Sequence, residues 1–246
     1  MAYILASLLG LILGSFFNVV IARFGTESVV RGRSHCMHCR HTLAWYDLIP
    51  IVSFLLLKGR CRYCNQSISI RYMLLELLSG AVLVVIAALY GFTASAFLWG
   101  ASSLVLVLLL FFDATYFILP DGLVIALGLL GLLDKILFHH DLLVPSLLIG
   151  FLLSFLFAIL YVVSAGSWVG FGDVKLIFSL GLLLGYPHAV VVVVGAIWTA
   201  TLVGLSLIII RQAHWKTALP FGSFLAAMAL AGIFLYERLF YFRYFF

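Results

Sequence analysis

The sequence predicts an all-α polytopic membrane protein, and three observations carry that reading. The chain of 246 residues is 65% hydrophobic and only 9% charged, against about 25% charged in an ordinary soluble domain. Its mean hydropathy is +1.26. Its apolar residues fall in unbroken runs of about 17 to 22, the length of a membrane-spanning helix. One soluble core of this size could not hide so much apolar surface, and a chain this apolar is not disordered. A transmembrane β-barrel would alternate polar and apolar residues, which these runs do not.

Eight apolar segments follow in order, at roughly 2–21, 73–90, 94–112, 122–138, 143–165, 173–186, 188–210 and 219–236. The first has no charged n-region and no A-x-A-like cleavage site after it, so it reads as a retained helix. The segment at 173–186 is short, and Gly185, Tyr186 and Pro187 separate it from the next. No internal repeat is visible. The chain therefore divides into a first transmembrane helix (1–21), a polar insert (22–72) and a multi-helix transmembrane domain (73–246).

The insert carries Arg23, Arg31, Arg33, Arg40, Lys58, Arg60, Arg62 and Arg71, eight of the chain's 14 basic residues. The positive-inside rule puts it in the cytoplasm. Alternation then places the loops at 113–121, 166–172 and 211–218 on the cytoplasmic side. The N-terminus and the 139–142 loop fall outside. The net charge of +5 is thus a topology signal. No basic stretch is interleaved with aromatics as nucleic-acid binding would require, so no nucleic-acid partner is expected.

All four cysteines lie in the insert, as Cys36-x2-Cys39 and Cys61-x2-Cys64. Two such knuckles can offer four thiolates tetrahedrally to one Zn²⁺. A reducing cytoplasm disfavours disulfides there. Four thiolates leave no open coordination position, so the expected zinc is structural. His35, His38 and His41 flank the first knuckle and read as solvated loop residues.

Only nine acids occur: Glu27, Asp47, Glu76, Asp113, Asp121, Asp134, Asp141, Asp173 and Glu237. Asp134, Asp141 and Glu237 are expected at a solvated interface. Asp113 closes the third apolar segment and Asp173 opens the sixth, so the topology sets both at the cytoplasmic end of the membrane. Acids against hydrocarbon are functional candidates. Two carboxyls in a partly dry site share one proton, which suits them to aspartic-protease chemistry. Gly170 and Gly172 would let backbone or an extended substrate approach. The competing reading is two unrelated helix caps. Asp121 reads as supporting, and Lys175 as an anchor or a partner for a carboxylate. Glu76 could meet an amine or a basic partner.

The ordered motifs resemble the type IV prepilin peptidase family, the bifunctional leader peptidases and N-methyltransferases. They are Gly14-Ser15-Phe16-Phe17-Asn18 through Arg23, the paired CxxC motifs, Trp45-Tyr46-Asp47-Leu48-Ile49-Pro50, and Lys58-Gly59-Arg60-Cys61. Ile68-Ser69-Ile70-Arg71-Tyr72, Asp113, Leu119-Pro120-Asp121, Gly170-Phe171-Gly172-Asp173 and Pro220-Phe221-Gly222 complete the set. Met37, Met73 and Val169 depart from the usual Pro, Pro and Met. The resemblance implies that Asp113 and Asp173 are the catalytic pair of a GxGD-type intramembrane aspartyl protease. It implies prepilin or pseudopilin substrates, cut after a Gly on the cytoplasmic face of the inner membrane. It also implies S-adenosylmethionine-dependent methylation of the new N-terminus, with Asn18, Arg23, Asp47, Arg71 and Glu76 as candidate residues. An ion-coupled transporter and a zinc-stapled assembly factor without chemistry are the alternatives.

Overall fold

The computed structural model describes residues 1–25, 28, 32–212, 214 and 217–243, with side chains as far as 234. Glu27, Arg31 and Lys216 lie outside the described residues, as do the side chains of Glu237, Arg238 and Arg243. Every regular element among the described residues is helical. The chain folds as two compact units, residues 1–88 and 89–246.

The first unit contains α1 (Ala2–Ala22), a 3-10 turn (Trp45–Leu48), the short α2 (Val52–Leu56) and α3 (Arg71–Tyr90). Long apolar runs without proline favour helices, because a helix satisfies its own backbone where no water can. α1 and α3 meet through small residues. A Cβ on Gly14 would lie 2.8 Å from the Cα of Glu76, and one on Gly80 would lie 3.1 Å from the Leu11 side chain. Glycine at these positions is what lets the two backbones approach.

The second unit contains α4 (Ala94–Tyr116), α5 (Asp121–Phe138), α6 (His140–Val163), α7 (Phe171–Leu184), α8 (His188–Ile209) and α9 (Phe221–Arg243). Thr93 caps α4 by accepting from the Ala96 amide at 3.1 Å. α7 is the innermost helix, with ten of its 14 residues buried, and it packs against α5, α6, α8 and α9. A Cβ on Gly131 of α5 would lie 2.8 Å from the Leu183 Cα. Gly150 of α6 meets Gly181 of α7 backbone to backbone.

Each of the eight apolar segments coincides with a helix, α1 or α3 to α9. α4 runs four residues beyond 112, which puts Asp113 inside its last turn. Among the described residues, five helices are long and apolar enough to cross a membrane: α1, α3, α4, α6 and α8. This is the helix content of a multi-pass membrane protein. α7 has only 14 residues, and α5 carries Asp121, Asp134 and Lys135 within its 18.

One expectation is corrected. Asp134 is not at a solvated interface but 1% exposed. Its carboxylate accepts from Lys135 Nζ at 3.1 Å and Ser95 Oγ at 3.2 Å, with His139 Nδ1 at 3.2 Å. Lys135 Nζ also donates to the Leu183 carbonyl at 3.1 Å and lies over the Trp99 ring. The cause is the close α5–α7 approach at Gly131, which seals the end of the bundle around both charges. Removing one partner of a buried pair strands the other. Lys135→Met is therefore expected to cost about 3 kcal/mol or more, read as a lowered melting temperature in detergent.

Candidate active site and metal centre

In the second unit, the C-terminal turn of α4 and the N-terminal turns of α7 and α9 converge. Asp113 and Asp173 are 5% and 7% exposed and lie close enough for their charges to interact. Asp113 Oδ2 accepts from the Ser223 backbone amide at 2.5 Å and from Ser223 Oγ at 3.0 Å. Ser223 Oγ also donates to the Leu110 carbonyl at 3.0 Å. Asp173 Oδ2 accepts from the Gly170 amide at 3.1 Å, so the residue does cap its own helix. Capping and a shared site therefore coexist in one side chain.

Glycines and Leu119 hold this end together. A Cβ on Gly222 would lie 3.1 Å from the Asp113 Cγ and 2.9 Å from Leu119 Cδ1. One on Gly172 would lie 3.2 Å from the Leu119 Cβ. Leu119 is thus wedged between the N-terminal turns of α7 and α9. Gly170 is the N-cap of α7, and a Cβ there would lie 3.3 Å from Asp173 Oδ2.

Lys175, one turn into α7, forms an ion pair with Asp121 at the start of α5 and lies over the Phe171 ring. It engages Asp121 rather than either buried aspartate among the described contacts. The pair ties α5 to α7 beside the carboxylates. Sequence reasoning missed Ser223. Its position directly after Pro220-Phe221-Gly222 was the available signal, but its partner lies 110 positions away.

In the first unit, Cys36, Cys39, Cys61 and Cys64 bring their sulfurs within 4.8 Å of one another, with Cys36 and Cys64 at 3.9 Å. That spacing suits four ligands around one ion at about 2.3 Å. The two knuckles repeat one hydrogen-bond scheme, a local repeat the sequence did not reveal. Cys36 N donates to His41 O at 3.0 Å and Arg40 N to Cys36 O at 2.9 Å. Cys61 N donates to Gln66 O at 2.9 Å and Asn65 N to Cys61 O at 3.0 Å. Arg40 and Asn65 take equivalent left-handed positions, at φ 54° and 60°. Burial opposes ionisation of Cys36, but the Cys39 and His38 amides and neighbouring thiols outweigh it and bring its thiol down to about 6. His35, His38 and His41 stand outside the ligand cluster, and His41 stacks on Tyr63.

Beside this cluster lies a cleft of about 400 Å³, and Asn18, Arg23, Asp47, Arg71 and Glu76 all line it. Ligand pockets run from about 300 to 1,000 Å³. Each lining candidate also holds structure. Asn18 Nδ2 donates to the Tyr72 carbonyl at 3.0 Å. Arg23, 6% exposed, donates to the Ser28 and Arg33 carbonyls at 3.0 and 2.9 Å. Arg71 Nε reaches Ser69 Oγ at 3.3 Å. Asp47 accepts from Arg62 Nε at 2.8 Å and Tyr63 Oη at 3.2 Å. Burial would raise its pKa, but the bonds from Arg62, the Ala44 amide and Tyr63 outweigh that and hold it below the usual carboxylate range. Glu76 is buried; its Oε2 accepts from the Ile51 amide at 2.8 Å, and Ser15 and Asn18 face the same carboxylate.

Comparison with known proteins follows the same division. The Bacterial Peptidase A24 N-terminal domain matches residues 8–90, and the Type IV leader peptidase family matches residues 100–205. A prepilin leader peptidase/N-methyltransferase of Aeromonas salmonicida (strain A449) is 32% identical, over 90% of this chain and 87% of its own. One of Burkholderia pseudomallei (strain K96243) is 32% identical, over 93% and 84%. One of Klebsiella pneumoniae is 38% identical, over 72% and 82%. No solved structure matches the chain. With two family matches falling one in each unit and relatives aligned along most of its length, the chain belongs to the type IV leader peptidase family.

Proposed function

We propose that this protein is a membrane aspartyl endopeptidase that removes the leader of type IV prepilins or pilin-like proteins and then methylates the new N-terminus. Family membership supports both activities. The observation that carries the peptidase reading is the burial of Asp113 and Asp173 together at one end of the helical unit. Transport sites usually lie near the midplane, so the arrangement favours a peptidase over an ion-coupled transporter. We place α1 and α3 to α9 as eight membrane-crossing or membrane-embedded helices. The basic insert (22–72) and both aspartates lie on the cytoplasmic face of the inner membrane. The peptidase domain is 73–246.

In this reading the two carboxyls hold one proton between them. The ionised one takes a proton from a water whose oxygen attacks the carbonyl carbon of the leader glycine. The protonated one hydrogen-bonds to the carbonyl oxygen and stabilises the charge that develops there. Collapse breaks the C–N bond, and a proton passes to the leaving amine. Ser223 fixes the Asp113 carboxylate, Gly170 fixes that of Asp173, and Gly172 and Gly222 make room for Leu119 beside the carboxylates. Asp121 and Lys175 brace α5 against α7.

The four cysteines hold a structural Zn²⁺, and the cleft beside them holds S-adenosylmethionine. That cofactor supplies an electrophilic methyl group. Its size and mixed charge suit the lining: Glu76, with Asn18 and Ser15 around it, faces a cationic amine, while Arg23 and Arg71 add positive charge for a carboxylate. Asp47 and Arg62 secure the wall of the cleft.

Asp113→Asn and Asp173→Asn should each reduce cleavage of a prepilin-like peptide by at least about 10²-fold, with the melting temperature nearly unchanged. Retained cleavage in either variant would sink the assignment. Gly222→Ala should also lose cleavage, because the new methyl displaces Asp113 or Leu119. Methylation of an already cleaved peptide should survive it, as mass spectrometry would show. Purified protein should contain about one zinc per chain by metal analysis, and Cys36→Ser should lose it. Absence of zinc from the wild type would remove the metal site.

A further inference from the structure

The segment between the 3-10 turn and α2 exposes an apolar surface that neither the peptidase nor the methyltransferase reading uses. Trp45 and Leu56 are each 76% exposed and Leu55 61% exposed, with Ile49 and Val52 also facing outward. On a polar insert this is unusual, because large exposed apolar patches on soluble domains mark a surface that something covers.

The hydrogen bond from Ile51 to Glu76 fixes where that surface lies. Glu76 is the sixth residue of α3, which begins at Arg71, so it sits about 7.5 Å along the helix at a rise of 1.5 Å per residue. Gly14 of α1 stands level with it, against the Glu76 Cα, and α1 continues to Ala22. The Ile51 backbone is therefore bonded one and a half turns inward from the start of α3, alongside two helices apolar enough to span a membrane. Ile51 adopts φ 60°, outside the usual range for a β-branched residue. The Glu76 carboxylate that accepts its amide holds this turn against α3. Lys58 lies exposed just beyond α2.

We infer that residues 45–56 lie in the membrane surface, with Trp45, Ile49, Val52, Leu55 and Leu56 in the boundary between headgroups and acyl chains and Lys58 among the lipid phosphates. An outward apolar face beside a tryptophan and a lysine, at a depth of about 5–10 Å, is the pattern of an interfacial anchor. The occupant of this face is the lipid of the bilayer that α1 and α3 cross. The inference depends on that crossing and on neither activity, so failure of a cleavage or methylation assay leaves it intact. Its consequence for the proposed methylation is that the cleft wall formed by Leu48 and Phe54 is held at the membrane surface, where a substrate helix would present its new amine.

The test uses the full-length protein in lipid nanodiscs. The tryptophan emission lost on Trp45→Phe defines the Trp45 contribution. Lipids brominated near the headgroup end of their acyl chains should quench that contribution, and aqueous iodide should not. Leu55→Ser with Leu56→Ser should make Trp45 accessible to iodide. Quenching of wild-type Trp45 by iodide would show a solvated loop and overturn the inference. Quenching by neither agent would show a protein-covered face and overturn it equally. Should Trp45→Phe fail to fold, unmodified protein can be irradiated in bilayers of diazirine-bearing phospholipid. Lipid adducts on the 45–57 peptide are expected, and their absence would overturn the inference.

Discussion

Close packing against α7 is the constraint on which the second unit depends. At 14 residues this helix is short for a bilayer, and it is enclosed by its neighbours rather than by lipid. Gly150, Gly181 and Gly131 remove the side chains that would hold α6 and α5 away. In a medium without water, association relies on such contact and on polar pairing more than on the hydrophobic effect. The same packing closes both polar ends of the unit. Asp173 is sealed at one end of α7, and Asp134 with Lys135 is sealed beside Leu183 at the other. Charges that would be costly in lipid are placed only where helix ends and partner side chains can satisfy them.

The first unit solves a different problem. Its insert has almost no apolar interior, so local devices order it. Two knuckles of identical hydrogen-bond pattern bring the cysteines together. Arg23 gathers the carbonyls of Ser28 and Arg33, Asp47 gathers Arg62 and Tyr63, and Glu76 holds Ile51. These charged side chains bind backbone and one another, which is why a single cleft can be lined by residues so far apart in sequence.

Much of this was legible in the residues, for reasons that differ by position. The helices followed from unbroken apolar runs, since in lipid the backbone has few alternatives. The cysteine cluster followed from spacing, because a CxxC knuckle is a local structure. Asp113 and Asp173 stood out because acids are rare beside hydrocarbon. Ser223 did not stand out: its partner is set by how α9 packs on α4, which no local pattern encodes. Asp134 misled because it lies near a loop in sequence, whereas its neighbourhood in space is Ser95, Lys135 and Leu183. The two knuckles share geometry while sharing few residue types beyond their cysteines, so their repeat was invisible until the backbone was seen.

The bond between Ser223 and Asp113 also orders events in time. Ribosomes make α4 long before α9, and 110 positions separate the two residues. Until α9 has been synthesised and inserted, Asp113 lacks both of its Ser223 donors and the Leu119 wedge lacks its contact with Gly222. A chain halted before residue 220 would hold the two aspartates without the lock that fixes one of them. The carboxylate pair is thereby coupled to the arrival of α9.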